Sequence, residues 1–169
     1  YVEDQDGKIL VENQVRGERI IEESVAFLIT NLMKGVIENG TGKGVIRKGL
    51  RRPAAGKTGT TNDYTDAWFV GYTRRLAAGV WVGFNDPKKK NPRKQGEGAV
   101  AALPIWASFM IEGARGPTED FRVPTGVIFR EIDKETGLLK YEGKCPVYTI
   151  IREAFLEGYE PTMLCTAHN

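Results

Sequence analysis

Pro53-Ala54-Ala55-Gly56-Lys57-Thr58-Gly59-Thr60-Thr61 is the stretch on which the reading of this chain turns. It places one cation, three hydroxyls and two glycines side by side, and the strongest strand signals in the sequence follow directly. A Lys-Thr-Gly-Thr run has two chemical readings, a phosphate loop or the rim of an acyl-transfer site. A phosphate loop needs a glycine five residues before Gly56, so that consecutive N–H groups wrap the phosphates ahead of a helix. That position is Arg51, and the nearest upstream glycine is Gly49. Gly59-Thr60-Thr61-Asn62-Asp63 is also a poor helix start. Asp66-Ala67-Trp68-Phe69-Val70-Gly71-Tyr72-Thr73, rich in aromatic and β-branched residues, reads as a strand. Spacing and context both exclude the phosphate loop.

Read as extended chain, residues 53–61 alternate, with Lys57, Gly59 and Thr61 on one side and Thr58 and Thr60 on the other. Gly59 carries no Cβ and admits close approach to its backbone. A lysine beside hydroxyls on an edge strand suits an anionic, extended, peptide-like ligand. An ordinary solvated strand with an exposed lysine is the plain alternative.

Three segments in order then resemble the C-terminal half of the transpeptidase domain of a class A (bifunctional) penicillin-binding protein. They are Ala55 to Asn62, Asp66 to Thr73, and Val80-Trp81-Val82-Gly83-Phe84-Asn85-Asp86-Pro87. Lys-Thr-Gly is one of that family's signatures. Tyr1–Leu10, Val36–Gly42, Ala101–Trp106 and Phe109-Met110 fit the same pattern. The resemblance implies an α+β fold of the penicillin-binding and β-lactamase-like type, an antiparallel sheet covered by helices. Residues 1–116 would be the C-terminal part of the transpeptidase domain, and 117–169 a C-terminal extension with a small hairpin.

By the same resemblance Lys57 and Thr60 are the catalytic candidates, and Thr58, Gly59, Thr60 and Thr61 the substrate-binding ones. Lys57 would supply positive potential, Thr58 and Thr60 would bind a terminal carboxylate, and the Thr60 N–H would be half of an oxyanion hole. The implied ligands are peptidoglycan stem peptides and β-lactam antibiotics, at the outer face of a bacterial cytoplasmic membrane. The family also needs Ser-x-x-Lys and Ser-x-Asn motifs. The two serines, Ser24 before Val-Ala-Phe and Ser108 before Phe-Met-Ile, fit neither. The nucleophile is expected on a preceding half of the domain, which becomes the first implied partner. Without it the chain is expected to be inactive and unstable alone. A non-catalytic module binding cell-wall peptides or a protein partner is the second function class, and a nucleotide-binding enzyme the third.

Net charge is only +2, from 24 Lys plus Arg against 22 Asp plus Glu, which argues against a dedicated nucleic-acid binder. No cofactor motif is found, and no metal site is expected, because neither a Cys-x-x-Cys nor a His pair is present. Cys145 and Cys165 read as free or buried thiols, although the exported setting implied by the resemblance would allow a disulfide. His168 reads as an exposed tail residue.

Elsewhere, Tyr1–Leu10 reads as two short strands around a turn at Asp4–Gly7. Glu22–Glu38 has helical period, with a stripe of Val25, Leu28, Ile29, Leu32 and Val36 expected to pack on the sheet. Thr41–Arg52 reads as a basic glycine-rich loop, either flexible or guarding the site. Asp66–Thr73 and Ala77–Phe84 are strands, apolar on both faces and requiring cover on both. Trp68, Phe69, Tyr72, Trp81 and Phe84 are accordingly expected in the core. Asn85–Gly98 is a polar loop, its Lys88-Lys89-Lys90 and Arg93-Lys94 either solvated or drawn to anionic polymers. Ala99–Glu112 reads as a buried helix. Val123–Ile132 and Leu138–Tyr141 suggest the late hairpin, with a short helix near Ile151–Leu156.

Overall fold

The computed structural model of the chain describes residues 1–12, 17–61, 65–86, 89 and 97–168. Strands β1 (Val2–Glu3) and β2 (Ile9–Val11) form the expected small hairpin. Asp4 Oδ1 accepts from the amides of Asp6 and Lys8, and Gly7 takes φ +78°. Helix α1 (Glu23–Glu38) stops at Asn39-Gly40 as the sequence indicates. A three-stranded antiparallel sheet follows in the order β3 (Ala55–Thr60), β4 (Asp66–Tyr72), β5 (Ala77–Gly83). Helix α3 (Ala102–Gly113) packs on β4 and β5. Most of the basic run 88–94 lies outside the described residues.

Strand alternation sorts the sheet into two faces. Ala67, Phe69 and Gly71 of β4 face α3, paired with Val82, Val80 and Ala78 of β5 and with Thr60, Thr58 and Gly56 of β3. Phe69 and Trp106 are fully buried there, ring centroids 4.8 Å apart and planes at 61°, and the Trp106 Nε1–H donates to Ala78 O at 3.0 Å. Gly56 and Gly71 sit opposite each other in the register beneath this pair. A Cβ on Gly71 would come 2.8 Å from Trp106 Cζ2 and 2.9 Å from Ala55 O. The two glycines are therefore the space into which the aromatic pair packs.

The opposite face of β4 carries Trp68, Val70 and Tyr72. Tyr72 is covered, its hydroxyl 2.9 Å from Thr30 Oγ1 of α1 and its ring edge-on to Phe121. Trp68 and Trp81 pair across the strands at 6.3 Å but remain 43% exposed each, and Phe84 is exposed too. Of the five aromatics expected in the core, only Phe69 is fully buried. Among the described residues the cover on the second face reaches only the Tyr72 end.

Helix α1 departs from expectation for a related reason. It lies along β3 with Phe27, Thr30 and Ile37 buried, while Val25, Ile29 and Leu32 of the apolar stripe are exposed. The side turned to this chain is pinned by polar contacts, Thr30 to Tyr72 and Asn31 Nδ2 to Glu153 at 2.7 Å. The periodic apolar signal therefore marks an outward face. Helix α3 likewise buries one side and exposes Ile105 and Phe109, so it is not enclosed all round. The supposed loop at 41–52 contains a short helix, α2 (Gly44–Arg47), and buries Val45 and Leu50 in the core.

The C-terminal region is a second antiparallel pair, β6 (Val127–Asp133) with β7 (Ile150–Leu156). The helix expected at 151–156 is thus a strand. Arg152-Glu153-Ala154 favours helix locally, but pairing along the whole of β6 overrides that preference. The expected small hairpin is present in short form, Leu139 bridging Ile132 with the Asp133 amide on Leu138 O and the Lys140 amide on Glu131 O, while β7 supplies the full-length partner of β6. His168 is no free tail, since its Nε2 lies 2.9 Å from Asp133 Oδ2. Cys145 and Cys165 are both free thiols. The unit docks on α1 through an edge-on Phe27–Phe129 contact at 6.2 Å.

The packing at Gly71 predicts that Gly71→Ala destabilises the protein by about 1–3 kcal/mol, because neither the indole nor the Ala55 carbonyl can retreat. Denaturant unfolding measures it, and a change within 0.3 kcal/mol or so would contradict the packing account.

Candidate active site

Strand β3 is an outer strand of its sheet, and the Lys-Thr-Gly-Thr run occupies its second half. Residues 55–60 are extended, as the alternating reading requires. The Lys57 ammonium is exposed and folds back along the strand, Nζ 2.9 Å from Thr58 O and 3.3 Å from Thr58 Oγ1. Thr58 Oγ1 lies 3.2 Å from Thr41 Oγ1. One cation and two hydroxyls thus meet at the rim.

Thr58 and Thr60 share the face predicted for them, and both line an open hollow of about 400 Å³. Thr41, Thr61 and the segment Glu97-Gly98-Ala99 complete its wall. Thr60 Oγ1 accepts from the Gly98 amide at 3.1 Å. Gly98 rests directly on the sheet, for a Cβ there would meet Trp68 O at 2.3 Å and Gly59 O at 2.8 Å. Only glycine can come that close.

Thr61 plays a different part. Its hydroxyl oxygen accepts from the amides of Thr65 and Asp66 and bonds the Thr65 hydroxyl, closing the turn that joins β3 to β4. Asp66 holds the other end of that turn. Its carboxylate accepts from Trp81 Nε1 at 2.7 Å and from Thr65 Oγ1 at 2.8 Å. These two donors, Trp81 foremost, hold the Asp66 carboxyl below the ordinary carboxylate range.

The structure therefore gathers Lys57, Thr58, Gly59, Thr60 and Thr61 on one short strand end, and adds two residues that the sequence reading did not name as site residues. Thr41 opens the stretch read as a loop either flexible or guarding the site, without being singled out. Gly98 closed a polar loop, and no motif spacing links it to Thr60, 38 residues earlier. Both arrive through the path of the chain.

Residues 2–110 match the family described as the penicillin binding protein transpeptidase domain. This chain belongs to that family. Residues 123–169 match the C-terminal domain of penicillin-binding protein 1A. Penicillin-binding protein 1A of Aquifex aeolicus is 34% identical over 167 residues, covering 98% of this chain and 22% of its own length. Penicillin-binding protein 2D of Bacillus subtilis is 35% identical over 174 residues, covering 97% of the chain and 24% of that protein. The crystal structure of penicillin-binding protein 1A from Haemophilus influenzae superposes with a TM-score of 0.76 at 31% identity, over 87% of this chain and 22% of that one. The chain thus spans under a quarter of the length of these penicillin-binding relatives. The superposition agrees with the α+β architecture found here.

Asp66 supplies a pH test of the turn behind the site. A carboxyl held low in the folded state stabilises above its unfolded value, about 3.9, and loses that contribution as pH falls through the folded value. The melting-temperature gap between wild type and Asp66→Asn should be widest near pH 6 and close below about pH 3. A gap unchanged between those pH values would show that the charge at Asp66 does not hold the turn.

Proposed function

We propose that this chain is the substrate-binding part of a serine-type peptidoglycan D,D-transpeptidase. The observation that carries the reading is a cationic, hydroxyl-rimmed outer strand beside an open hollow, in a chain of the penicillin-binding transpeptidase family. An extended D-Ala-D-Ala stem peptide, or a β-lactam in its place, lies along β3. Thr58 and Thr60 hydrogen-bond its terminal carboxylate, and Lys57 adds positive potential and a proton contact to the nucleophile. The Thr60 N–H points at the oxyanion, and Gly59 leaves the strand bare enough for the peptide to approach. Thr61 and Asp66 act behind them, fixing the strand end.

The serine that attacks the carbonyl comes from a preceding half of the domain. Two features of the fold support that partner. Among the described residues strand β5 has no neighbour on its outer side, leaving unpaired N–H and C=O groups. Val25, Ile29 and Leu32 on α1, and Trp68, Val70 and Trp81 on the sheet, are apolar and exposed. A second half that adds strands beside β5 and helices over these side chains satisfies both. Residues 1–116 then complete the transpeptidase domain and 117–169 extend it, a division supported by the matches over 2–110 and 123–169. No described helix is long and apolar enough to cross a membrane. The extracytoplasmic site of action rests on the family, and anchoring is assigned to a segment outside this chain. A glycosyltransferase domain in the parent is carried by the resemblance to the bifunctional class alone.

Fluorescent penicillin labelling tests the assignment. The full-length protein should label covalently, and residues 1–169 alone should not. Lys57→Ala should slow acylation on the order of 100-fold or more, the scale of a lost proton-transfer group. Gly98→Ala, which lifts the wall away from Thr60, should slow it by up to about 100-fold while the fold persists. Full labelling of Lys57→Ala would sink the proposed role. A full-length protein that binds stem peptides yet never labels would favour a non-catalytic cell-wall module. Thermal melting examines the partner half: residues 1–169 alone should melt broadly at low temperature, and a sharp transition at high temperature would count against a missing half.

A further inference from the structure

The C-terminal β6–β7 unit holds a side-chain cluster that the transpeptidase reading does not use. Asp133 ends β6, Cys145 follows the turn at 141–144, and Cys165 and His168 lie near the end of the chain. Backbone bonds draw these segments together: Leu139 N to Met163 O, Cys165 N to Leu139 O, and Lys134 N to Thr149 O, all at 2.8–2.9 Å. One carboxylate oxygen of Asp133 and the sulfurs of Cys145 and Cys165 all lie within 4.8 Å of one another. Asp133 and Cys165 are fully buried. The Nε2 of His168 is 2.9 Å from Asp133 Oδ2.

We propose that Asp133, Cys145 and Cys165 form a structural zinc site that fastens the end of the chain to β6, with His168, held against Asp133, turning in as the fourth ligand when the ion binds. The donor set is two thiolates, one carboxylate and one imidazole, the combination that suits this borderline-soft, redox-inert cation. Cys165-Thr166-Ala167-His168 has the short Cys-x-x-His spacing of metal-ligand pairs. Zinc–sulfur bonds of about 2.3 Å place two sulfurs about 3.8 Å apart, and bonds of about 2.0 Å place nitrogen and oxygen about 3.3 Å apart. The three gathered atoms, within 4.8 Å of one another, close by at most about 1 Å to reach this, and the His168 ring swings inward on binding.

Cys145 Sγ accepts from the Tyr141 amide at 3.3 Å, which orients it as outer partners orient metal ligands. Asp133 Oδ1 accepts from the amides of Glu135 and Thr136 and from the Thr136 hydroxyl, while Oδ2 meets His168 Nε2. On binding, each thiol gives its proton to solvent and the cation neutralises the buried anions. Cys145 is only half-buried and borders an open hollow of about 730 Å³, which supplies the entry path. A site of this kind would stiffen a unit whose own apolar core is small.

Metal analysis of the full-length protein, purified without chelators and reconstituted with equimolar zinc chloride, tests this. The expected result is about one zinc per chain. Cys145 and Cys165 should resist alkylation until a chelator is added, with no reductant present. His168→Ala, outside every strand and helix of the unit, should weaken zinc affinity about 10–100-fold in chelator competition. Loss of zinc with both thiols open to alkylation regardless of chelator would overturn the site. So would sulfurs released only by a reductant, which would identify a disulfide.

Discussion

The seating of Trp106 and Phe69 over the facing glycines Gly56 and Gly71 is the constraint on which the rest of the site depends. An indole this large reaches the sheet only where two opposed residues have no side chain. Its Nε1–H bond to Ala78 O then fixes helix α3 both along and across the strands. The segment leading into α3 is positioned by that docking, and Gly98 lands on the Gly59–Trp68 backbone with its amide on Thr60. A packing interaction deep on one face thereby sets the geometry of a hydroxyl at the rim of the hollow.

The sheet is not used symmetrically. The face under α3 is closed by side chains of this chain, and buries Phe69, Val80 and Val82 against Trp106 and Met110. Among the described residues the other face is covered by α1 only near Tyr72, while the Trp68–Trp81 pair lies open beside an unpaired β5 edge. The outer stripe of α1 faces the same lack of cover. Apolar surface of this extent carries a large penalty in water. Two elements, a helix and a sheet, thus expose apolar surface that the described residues do not cover.

The late β6–β7 unit buries polar groups. Asp133 is satisfied from several directions at once, by the turn amides of Glu135 and Thr136 and by His168. The Thr149 hydroxyl, ahead of the Thr136 amide and His168, holds the Asp133 carboxyl far below the usual carboxylate range although burial opposes it. Contacts from Phe129 to Phe27 and from Glu153 to Asn31 tie this unit to the helix along β3.

Local signals were enough for the elements and the motif. Strand β3 with Lys57, Thr58, Gly59 and Thr60, its antiparallel return at β4, the first hairpin and the span of α1 are legible because alternation, turn residues and helix stops act within a few residues. The apolar stripe of α1 was legible too, but not the direction in which it points, since periodicity defines a face and not what lies against it. Whether Trp68 is core depends likewise on which elements lie over the sheet. Strand β7 escaped because Arg152-Glu153-Ala154 prefers helix until β6 offers a full ladder. Gly98 against Thr60, Thr41 against Thr58 and His168 against Asp133 join residues 17 to 38 positions apart. The sequence by itself determined the first hairpin, α1, strands β3 to β5 and the reactive run on β3; only the tertiary structure decided which residues meet, because a contact across tens of residues is fixed by the docking of whole elements and leaves no periodic trace along the chain.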